Sequence, residues 1–319
     1  MKFLVTGGAG FIGSHVVDAL LGHGYEVAVI DDLSTGKREN LNPQATFYNV
    51  DIVSTEVADI FAEERPHVVY HHAAQMDVRR AVREPQLDAM VNVVGSVNIL
   101  ECGRRSGVRK LIYASTGGAV YGEPAYLPVD EAHPLAPLSP YGLTKHAFES
   151  YLALYGRLYG VPYTVLRYPN VYGPRQNPHG EAGVVAIFIQ RILAGDRPTI
   201  FGDGKKTRDY TYIDDVVAAN LLVINRGDNR VYNVGWGREV SDCEIFSTVR
   251  DAVGATVEPR FDQKRPGEID RICLDSRKIQ GELGWQPRVS LQDGVRETVR
   301  WQKRATLHAM AAKTGNPQR

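Results

Sequence analysis

Tyr141 and Lys145 stand four residues apart in the stretch Ser139-Pro140-Tyr141-Gly142-Leu143-Thr144-Lys145, which opens a run with helical apolar spacing through Phe148, Tyr151, Leu152 and Tyr155. Residues i and i+4 share one helix face, so a phenol and an ammonium can serve one site. A tyrosine with a pKa of about 10 is a poor base at neutral pH, but a nearby cation favours its phenolate. One unit charge at about 4 to 5 Å, in an effective dielectric of about 20, is worth up to roughly 4 kcal/mol or around three pKa units. The chemistry implied is proton abstraction by Tyr141, poised near neutrality by Lys145. A hydroxyl partner is expected at the end of the preceding strand, where Ser115 and Thr116 stand.

A second constellation lies at the start of the chain, where residues 6–14 read TGGAGFIGS. Gly8, Gly10 and Gly13 fit G-x-G-x-x-G, and Gly7, Gly10 and Gly13 fit G-x-x-G-x-x-G, between an apolar run and a helical one. Glycines are needed there because a Cβ keeps the backbone away from a pyrophosphate, which the helix N-terminus attracts through free N–H groups and its dipole. Asp31, followed by Asp32, ends the next β-rich run 18 residues beyond Gly13. A carboxylate at that place binds both hydroxyls of an adenosine ribose and repels a 2′-phosphate, so NAD is expected rather than NADP. Asp51 and Ile52, after the third such run, are candidates for the adenine side.

These side chains need a frame, and the chain supplies one. β-rich runs occur at 2–6, 26–31, 46–50, 67–71, 110–115 and 163–167. Between them lie helical patterns, such as the apolar face Phe11, Ile12, His15, Val16, Ala19, Leu20 and another through Val91, Val94, Ile99 and Leu100. Strands alternating with helices imply a parallel sheet covered on both faces, an α/β doubly wound sheet of Rossmann type with a smaller C-terminal α+β lobe. Five prolines between Tyr121 and Tyr141 forbid a regular helix and mark a long ordered loop. The alternation breaks down after residue 173. The expected division is a dinucleotide-binding domain over 1–173 and a mainly substrate-binding lobe over 174–319, with some segments returning to the first.

Thirty-seven basic and thirty-seven acidic residues cancel, so no global field favours nucleic acid or an anionic membrane. An anionic ligand must be held locally. Three cysteines, Cys102, Cys243 and Cys273, form no C-x-x-C pair and point to a reducing compartment. The first apolar run starts at Phe3 and leads straight into the glycines, so no leader segment is expected, and no apolar run reaches membrane-spanning length. A cytoplasmic protein is the expectation. His71 and His72 are adjacent on a strand and point to opposite faces, and with no third ligand at metal spacing no metal site is expected.

These blocks together resemble the extended short-chain dehydrogenase/reductase family and, within it, the nucleotide-sugar epimerases. The resemblance rests on TGGAGFIGS, on Asp31-Asp32-Leu33-Ser34-Thr35-Gly36, on HHAAQMDVRRAV from His71, on Asn92, on Val120-Tyr121-Gly122 and on SPYGLTK. It continues through Arg167 to Gly173, Ile200 to Gly204, Arg208-Asp209-Tyr210 and Arg265-Pro266-Gly267-Glu268. It implies tightly bound NAD contacted by Gly7, Gly10, Phe11, Ile12, Gly13, Asp31, Asp32, Ser34, Thr35, Gly36, Asp51, Ile52, Ala73, Ala74, Gln75, Asn92, Tyr141 and Lys145. It also implies a UDP-sugar held by Thr116, Tyr141, Asn170, Ile200, Phe201, Arg208, Arg265 and Glu268, and a homodimer formed through two helices of the first lobe.

The implied activity is interconversion of UDP-glucose and UDP-galactose, with Tyr141, Lys145 and Thr116 catalytic. The alternatives are other NAD-dependent nucleotide-sugar enzymes, including N-acetylhexosamine or uronic acid 4-epimerases, a UDP-glucuronate decarboxylase and a 4,6-dehydratase, or a non-catalytic NAD-binding sensor. Gly117-Gly118 stand where relatives with dehydratase activity place Asp-Glu. Counting back from Val120-Tyr121 puts Gly117 at the usual catalytic serine, whereas counting back from Tyr141 puts Thr116 there; Thr116 is preferred, with Ser115 in reserve. Glu268 stands where many relatives have Asp. Ile272 falls where relatives gate access for N-acetyl groups, and its intermediate size leaves the sugar open.

Overall fold

Every β-rich run of the first half forms a strand, and those strands lie side by side in one parallel sheet. The computed structural model describes residues 1–178, 183–265 and 269–314, with side chains through residue 307. The first half runs β1 (Lys2–Thr6), α1 (Phe11–Gly22), β2 (Glu26–Ile30), β3 (Thr46–Tyr48), α2 (Glu56–Glu64), β4 (Val68–His71), α3 (Val78–Arg83) and α4 (Pro85–Ala89). A π-turn (Met90–Gly95), α5 (Ser96–Arg105), β5 (Lys110–Thr116), α6 (Pro140–Tyr159) and β6 (Tyr163–Tyr168) follow. The strand order is β11-β6-β5-β4-β1-β2-β3, so the order reverses beside β1, where the glycine turn emerges.

The remaining elements are β7 (Asn170–Tyr172), α7 (Val184–Leu193), β8 (Thr199–Phe201), β9 (Thr207–Arg208), β10 (Tyr210–Tyr212) and α8 (Ile213–Leu222). After them come β11 (Arg230–Asn233), β12 (Val240–Ser241), α9 (Asp242–Val253), β13 (Arg260–Asp262), α10 (Arg277–Leu283) and α11 (Leu291–Thr314). β11 returns to the main sheet and pairs in parallel with β6. α8 also packs on it, its Val216 and Ala219 joining Val16, Val17 and Leu20 of α1 over the face that carries Phe3, Val5 and Tyr70. α2, α5 and α6 cover the other face with Phe61, Ile99, Leu100, Phe148 and Leu152. The α1 side of the core continues through Phe188, Phe246 and Val295, so apolar packing is unbroken past residue 173.

Local chemistry sets the elements that matter for the site. The helix α6 starts where Ser139 accepts the Gly142 N–H on its hydroxyl (3.1 Å) and Pro140 takes the first turn. It stops at Gly160, which adopts φ 66°. The proline-rich segment before it is a loop, as its composition requires, tied down by bonds between Val129 and the Cys273 and Asp275 backbone. One periodicity expectation needs correction: Val94 does not join the apolar face of Ile99 and Leu100 but is 50% exposed. The π-turn adds a residue to the winding at Met90–Gly95, which swings Val94 outward and Asn92 into the interior. Among the described residues no helix is long and apolar enough to cross a membrane.

Candidate active site

The turn between β1 and α1 depends on its glycines for two different reasons. Gly7 has φ 71°, and a Cβ there would lie 2.6 Å from Ala73 N; a Cβ on Gly13 would lie 2.2 Å from Gly7 O. Both positions are closed by packing. A Cβ on Gly10 would meet only Gly7 O, at 3.1 Å. Gly10 is also the N-cap of α1, with no side chain capping the helix and no acid in its first turn. The helix N-terminus is therefore left for an approaching anion, with Phe11 and Ile12 half-buried beside it.

Asp31 is buried, and its two oxygens accept the N–H groups of Ala9 (2.9 Å) and Leu33 (2.9 Å). Burial pushes its carboxyl up, against those two hydrogen bonds. Each oxygen has a further lone pair for a ribose hydroxyl. Gly36 is glycine because a Cβ would lie 2.6 Å from Asp31 Oδ1. Asp32, Ser34 and Thr35 are exposed on the adjoining loop, Asp32 accepting the Ser34 hydroxyl (2.6 Å). Asp51 is exposed and accepts the Val53 N–H (3.0 Å), whereas Ile52 is buried in the core. The donors, the uncapped helix and the Asp31 carboxylate fit an adenine dinucleotide diphosphate.

Ala73, Ala74 and Gln75 follow β4 and cross the carboxyl end of the sheet. Ala73 N–H donates to Thr6 Oγ1 (3.2 Å), and Gln75 N–H donates to Asn92 Oδ1 (2.9 Å). Asn92 returns its amide to Gln75 O (2.9 Å), so both ends of its side chain are already engaged. His71 and His72 do face opposite sides: His71 lies 2.7 Å from Thr6 Oγ1 and 2.8 Å from Ser96 Oγ, while His72 stacks on Tyr70. Burial holds His72 neutral, its pKa lowered to about 3 with help from Lys145. Among the described residues no group of three or more His, Cys, Asp or Glu is placed to hold a metal.

Tyr141 and Lys145 project from the first turns of α6 next to the end of β5. Gly142 lets that turn press on the loop after β5, since a Cβ would lie 2.6 Å from Ala119 O. The Thr116 hydroxyl lies close enough to the Tyr141 side chain to favour its phenolate. Ser115 instead faces the body of α6, its hydroxyl donating to Glu149 Oε1 at 2.5 Å. The Lys145 ammonium sits over the Tyr113 ring, 4.4 Å from its centroid. Burial pulls its pKa down to about 7, while Glu149 and Asp88 act to retain the proton. The surroundings of Tyr141 work against the poise near neutrality expected from Lys145. Burial, and then the Asp88 charge, push its phenol well above its ordinary value, with only the nearby Thr116 hydroxyl opposing them.

The second half carries the remaining candidates, of which Asn170 comes close to Thr116. Asn170 Oδ1 and Thr116 Oγ1 both lie within 4 Å of the point where a Gly118 Cβ would stand. Asn170 N–H donates to Asp209 O (3.1 Å), next to Arg208, whose Nη1 donates to Thr207 O (2.8 Å). Asp209 is not the ion-pair partner of Arg208 but a buried hub that accepts the N–H groups of Trp236, Gly237 and Leu274. Burial raises its carboxyl to about 7. Arg265 stacks on Phe201, its Cζ 3.4 Å from the ring centroid. Ile200 is buried in the core, so its side chain is occupied by packing. Glu268 lies outside the described residues.

Two acids missed by sequence reading stand close to the pair. Glu149, one turn after Lys145, accepts Arg167 through Nε (3.0 Å) and Nη2 (2.6 Å). Asp88, in α4, is fully buried and bonded to Gln75, Asn92 and Thr144. The available signal for Glu149 was its i+4 spacing from Lys145; nothing local marks Asp88.

Residues 3–235 match the NAD dependent epimerase/dehydratase family. The UDP-glucose 4-epimerase of Mycolicibacterium smegmatis is 47% identical over 305 residues, covering 94% of this chain and 97% of that protein. The structure of UDP-glucose 4-epimerase with UDP-glucose from Thermotoga maritima superposes with a TM-score of 0.95 at 49% identity, covering 96% of this chain and all of that one. That of the Thermus thermophilus UDP-glucose 4-epimerase complex with NAD gives 0.91 at 46% identity, covering 95% and 99%. With its parallel sheet, its open helix N-terminus and its Tyr-x-x-x-Lys helix, the chain belongs to the NAD-dependent epimerase/dehydratase family.

Proposed function

We propose that this chain is a UDP-glucose/UDP-galactose 4-epimerase, an isomerase that works by transient oxidation at sugar C4. The observation that carries the reading is the meeting of Thr116, Tyr141 and Lys145 at the carboxyl end of β5, linked through Ala73–Gln75 to the glycine turn. The named relatives are UDP-glucose 4-epimerases that match this chain over nearly the full length of both, which supports the same substrate class here.

When bound against the glycine turn and Asp31, NAD would supply the hydride acceptor and donor for oxidation and reduction at sugar C4. Tyr141 takes the C4 hydroxyl proton as the base and gives it back on return, with Thr116 orienting the hydroxyl. Burial and Asp88 favour the Tyr141 phenol, so a positive charge beside Lys145 would be what makes the phenolate accessible. Arg208 and Arg265 hold the diphosphate as local guanidinium groups in a protein of zero net charge, with Phe201 and Asn170 beside them. Glu268 is assigned to the nucleotide ribose. The NAD contacts are assigned to the glycine turn, Asp31 to Gly36, Asp51-Ile52, Ala73 to Gln75 and Asn92. A firm grip on the nucleotide and a loose one on the sugar let the keto sugar turn over before hydride returns.

We further assign residues 1–173 to the cofactor and most of 174–319 to the substrate, with β11 as a returning segment. A homodimer is supported by apolar residues left exposed on α6 and the adjoining π-turn, among them Val94, Leu143, Leu154 and Leu158. A reducing cytoplasm suits Cys102, Cys243 and Cys273, all free thiols. The test is to incubate the purified protein with UDP-galactose, without added NAD, and follow the sugar nucleotides by proton NMR. UDP-glucose should appear, and Tyr141→Phe should remove nearly all turnover while leaving NAD bound. Full activity in that variant refutes the assignment of the base.

A further inference from the structure

Asp88 is a carboxylate with no contact to solvent, held by three uncharged side chains from three separate elements. Gln75 Nε2 (2.9 Å) and Asn92 Nδ2 (3.0 Å) donate to Oδ1, and Thr144 Oγ1 donates to Oδ2 (2.7 Å). Thr144 lies between Tyr141 and Lys145, with its hydroxyl 3.1 Å from Tyr141 O. Asp88 thus ties the loop after β4, the π-turn and the first turn of α6 into one unit.

Hydrogen bonding alone does not require an acid at this position. An asparagine would accept both amides on Oδ1 and offer its own amide to Thr144 Oγ1, which can turn its proton to Tyr141 O. Burying a carboxylate among neutral donors carries a desolvation cost, so the charge itself needs a reason. It acts electrostatically on Tyr141 and Lys145, and also on the Tyr113 phenol. The other groups facing that pair are accounted for. Glu149, on α6, is gripped by Arg167 from β6; His71 and His72, at the end of β4, are neutral through burial; Tyr113, on β5, covers the ammonium with its ring. Of the two acids beside the pair, Glu149 has its cation in Arg167, whereas Asp88 has no direct ion pair among the described residues.

We propose that Asp88 is a positioning residue of the proton-handling pair: through Thr144 and Asn92 it seats the first turn of α6, and its charge sets the pH range in which Tyr141 and Lys145 work. This rests on the reading of Tyr141 as the base. Asp88 touches neither reacting atom and acts through its effect on those that do. Its negative charge favours the phenol over the phenolate and the ammonium over the amine, so it holds both groups protonated until positive charge arrives with the cofactor.

The test is the pH profile of kcat/KM for Asp88→Asn in the full-length protein, with Thr144→Val as the variant that breaks the frame and keeps the charge. In Asp88→Asn both limbs should move to lower pH by about one unit, as loss of a nearby like or opposite charge predicts. In Thr144→Val the height should fall while the limbs stay in place. A second readout needs no turnover: urea unfolding of Asp88→Asn should begin to gain stability with rising pH earlier than wild type, because Lys145 deprotonates sooner in the folded chain. That difference should vanish in a Lys145→Met background. A profile that loses height without moving, together with unchanged pH dependence of unfolding, overturns the proposal. Full turnover in Tyr141→Phe would instead overturn the assignment of the base, so the two failures are separable.

Discussion

Replacing Glu149 by alanine tests the buried frame behind the catalytic helix. Glu149 and Arg167 are each about 95% buried, and Arg167 grips the carboxylate at 3.0 and 2.6 Å while Ser115 donates at 2.5 Å. Burial works to raise the Glu149 carboxyl, but the nearby His146 ring, the hydrogen bonds and charge of Arg167 and the Ser115 hydroxyl outweigh it and bring it down to about 2. Measured from an unperturbed 4.5, that is worth about 3 kcal/mol at roughly 1.4 kcal/mol per unit. Removing one partner of a buried pair independently predicts about 3–5 kcal/mol, because the guanidinium is left buried and uncompensated. Urea unfolding of Glu149→Ala at pH 7 should therefore show a loss in this range. The folded-state value is depressed, so the contribution is complete above about pH 4.5 and is lost as pH falls toward 2; the gap between wild type and variant should close over that interval. The double variant Glu149→Ala/Arg167→Met should be more stable than Glu149→Ala alone, since no buried charge remains unpaired. A loss below about 1 kcal/mol, the value of an exposed pair, or no recovery in the double variant, would refute the account.

Other consequences follow from the same geometry. Thr116→Val should lower kcat by about 100-fold or more with a small effect on stability, whereas Ser115→Ala should keep turnover and lose about 1–3 kcal/mol on unfolding; the reverse pattern would exchange their roles. Gly13→Ala should abolish folding because its Cβ would lie 2.2 Å from Gly7 O, while Gly10→Ala, meeting only one atom at 3.1 Å, should fold and bind NAD more weakly by titration. Lys145→Met should unfold at higher urea than wild type below pH 7 and lose that advantage as pH rises toward 10.5, because the buried ammonium, with its pKa near 7, is a cost to folding that disappears on deprotonation. Arg265→Lys removes the planar stack on Phe201 and should raise the KM for UDP-galactose with little change in kcat.

The contrast between Ser115 and Thr116 marks where sequence reading stops. Alternation along a strand says that neighbouring side chains face opposite sides of the sheet, so only one of the two hydroxyls can reach the catalytic turn of α6. It does not say which. That is decided by register: Ser115 pairs with Arg167 and Thr116 with Tyr168, which puts Ser115 in reach of the Glu149–Arg167 pair. The six strands of the first half were legible because β-branched runs alternate there with helical patterns and turn residues. β11 was not, because four residues with two exposed or half-exposed positions carry too weak a period and take their place from β6. Asn92 was legible only through family resemblance, since a π-turn breaks the period that would have oriented it. Asp88 and Glu149 look like ordinary helical acids in the sequence. What makes them part of the site is closure by partners 13 to 56 residues away in the one case and 18 to 34 in the other. The residues that touch a ligand are thus recognisable by type and spacing, while those that set the protonation of the touching residues become visible only when the sheet has folded them together.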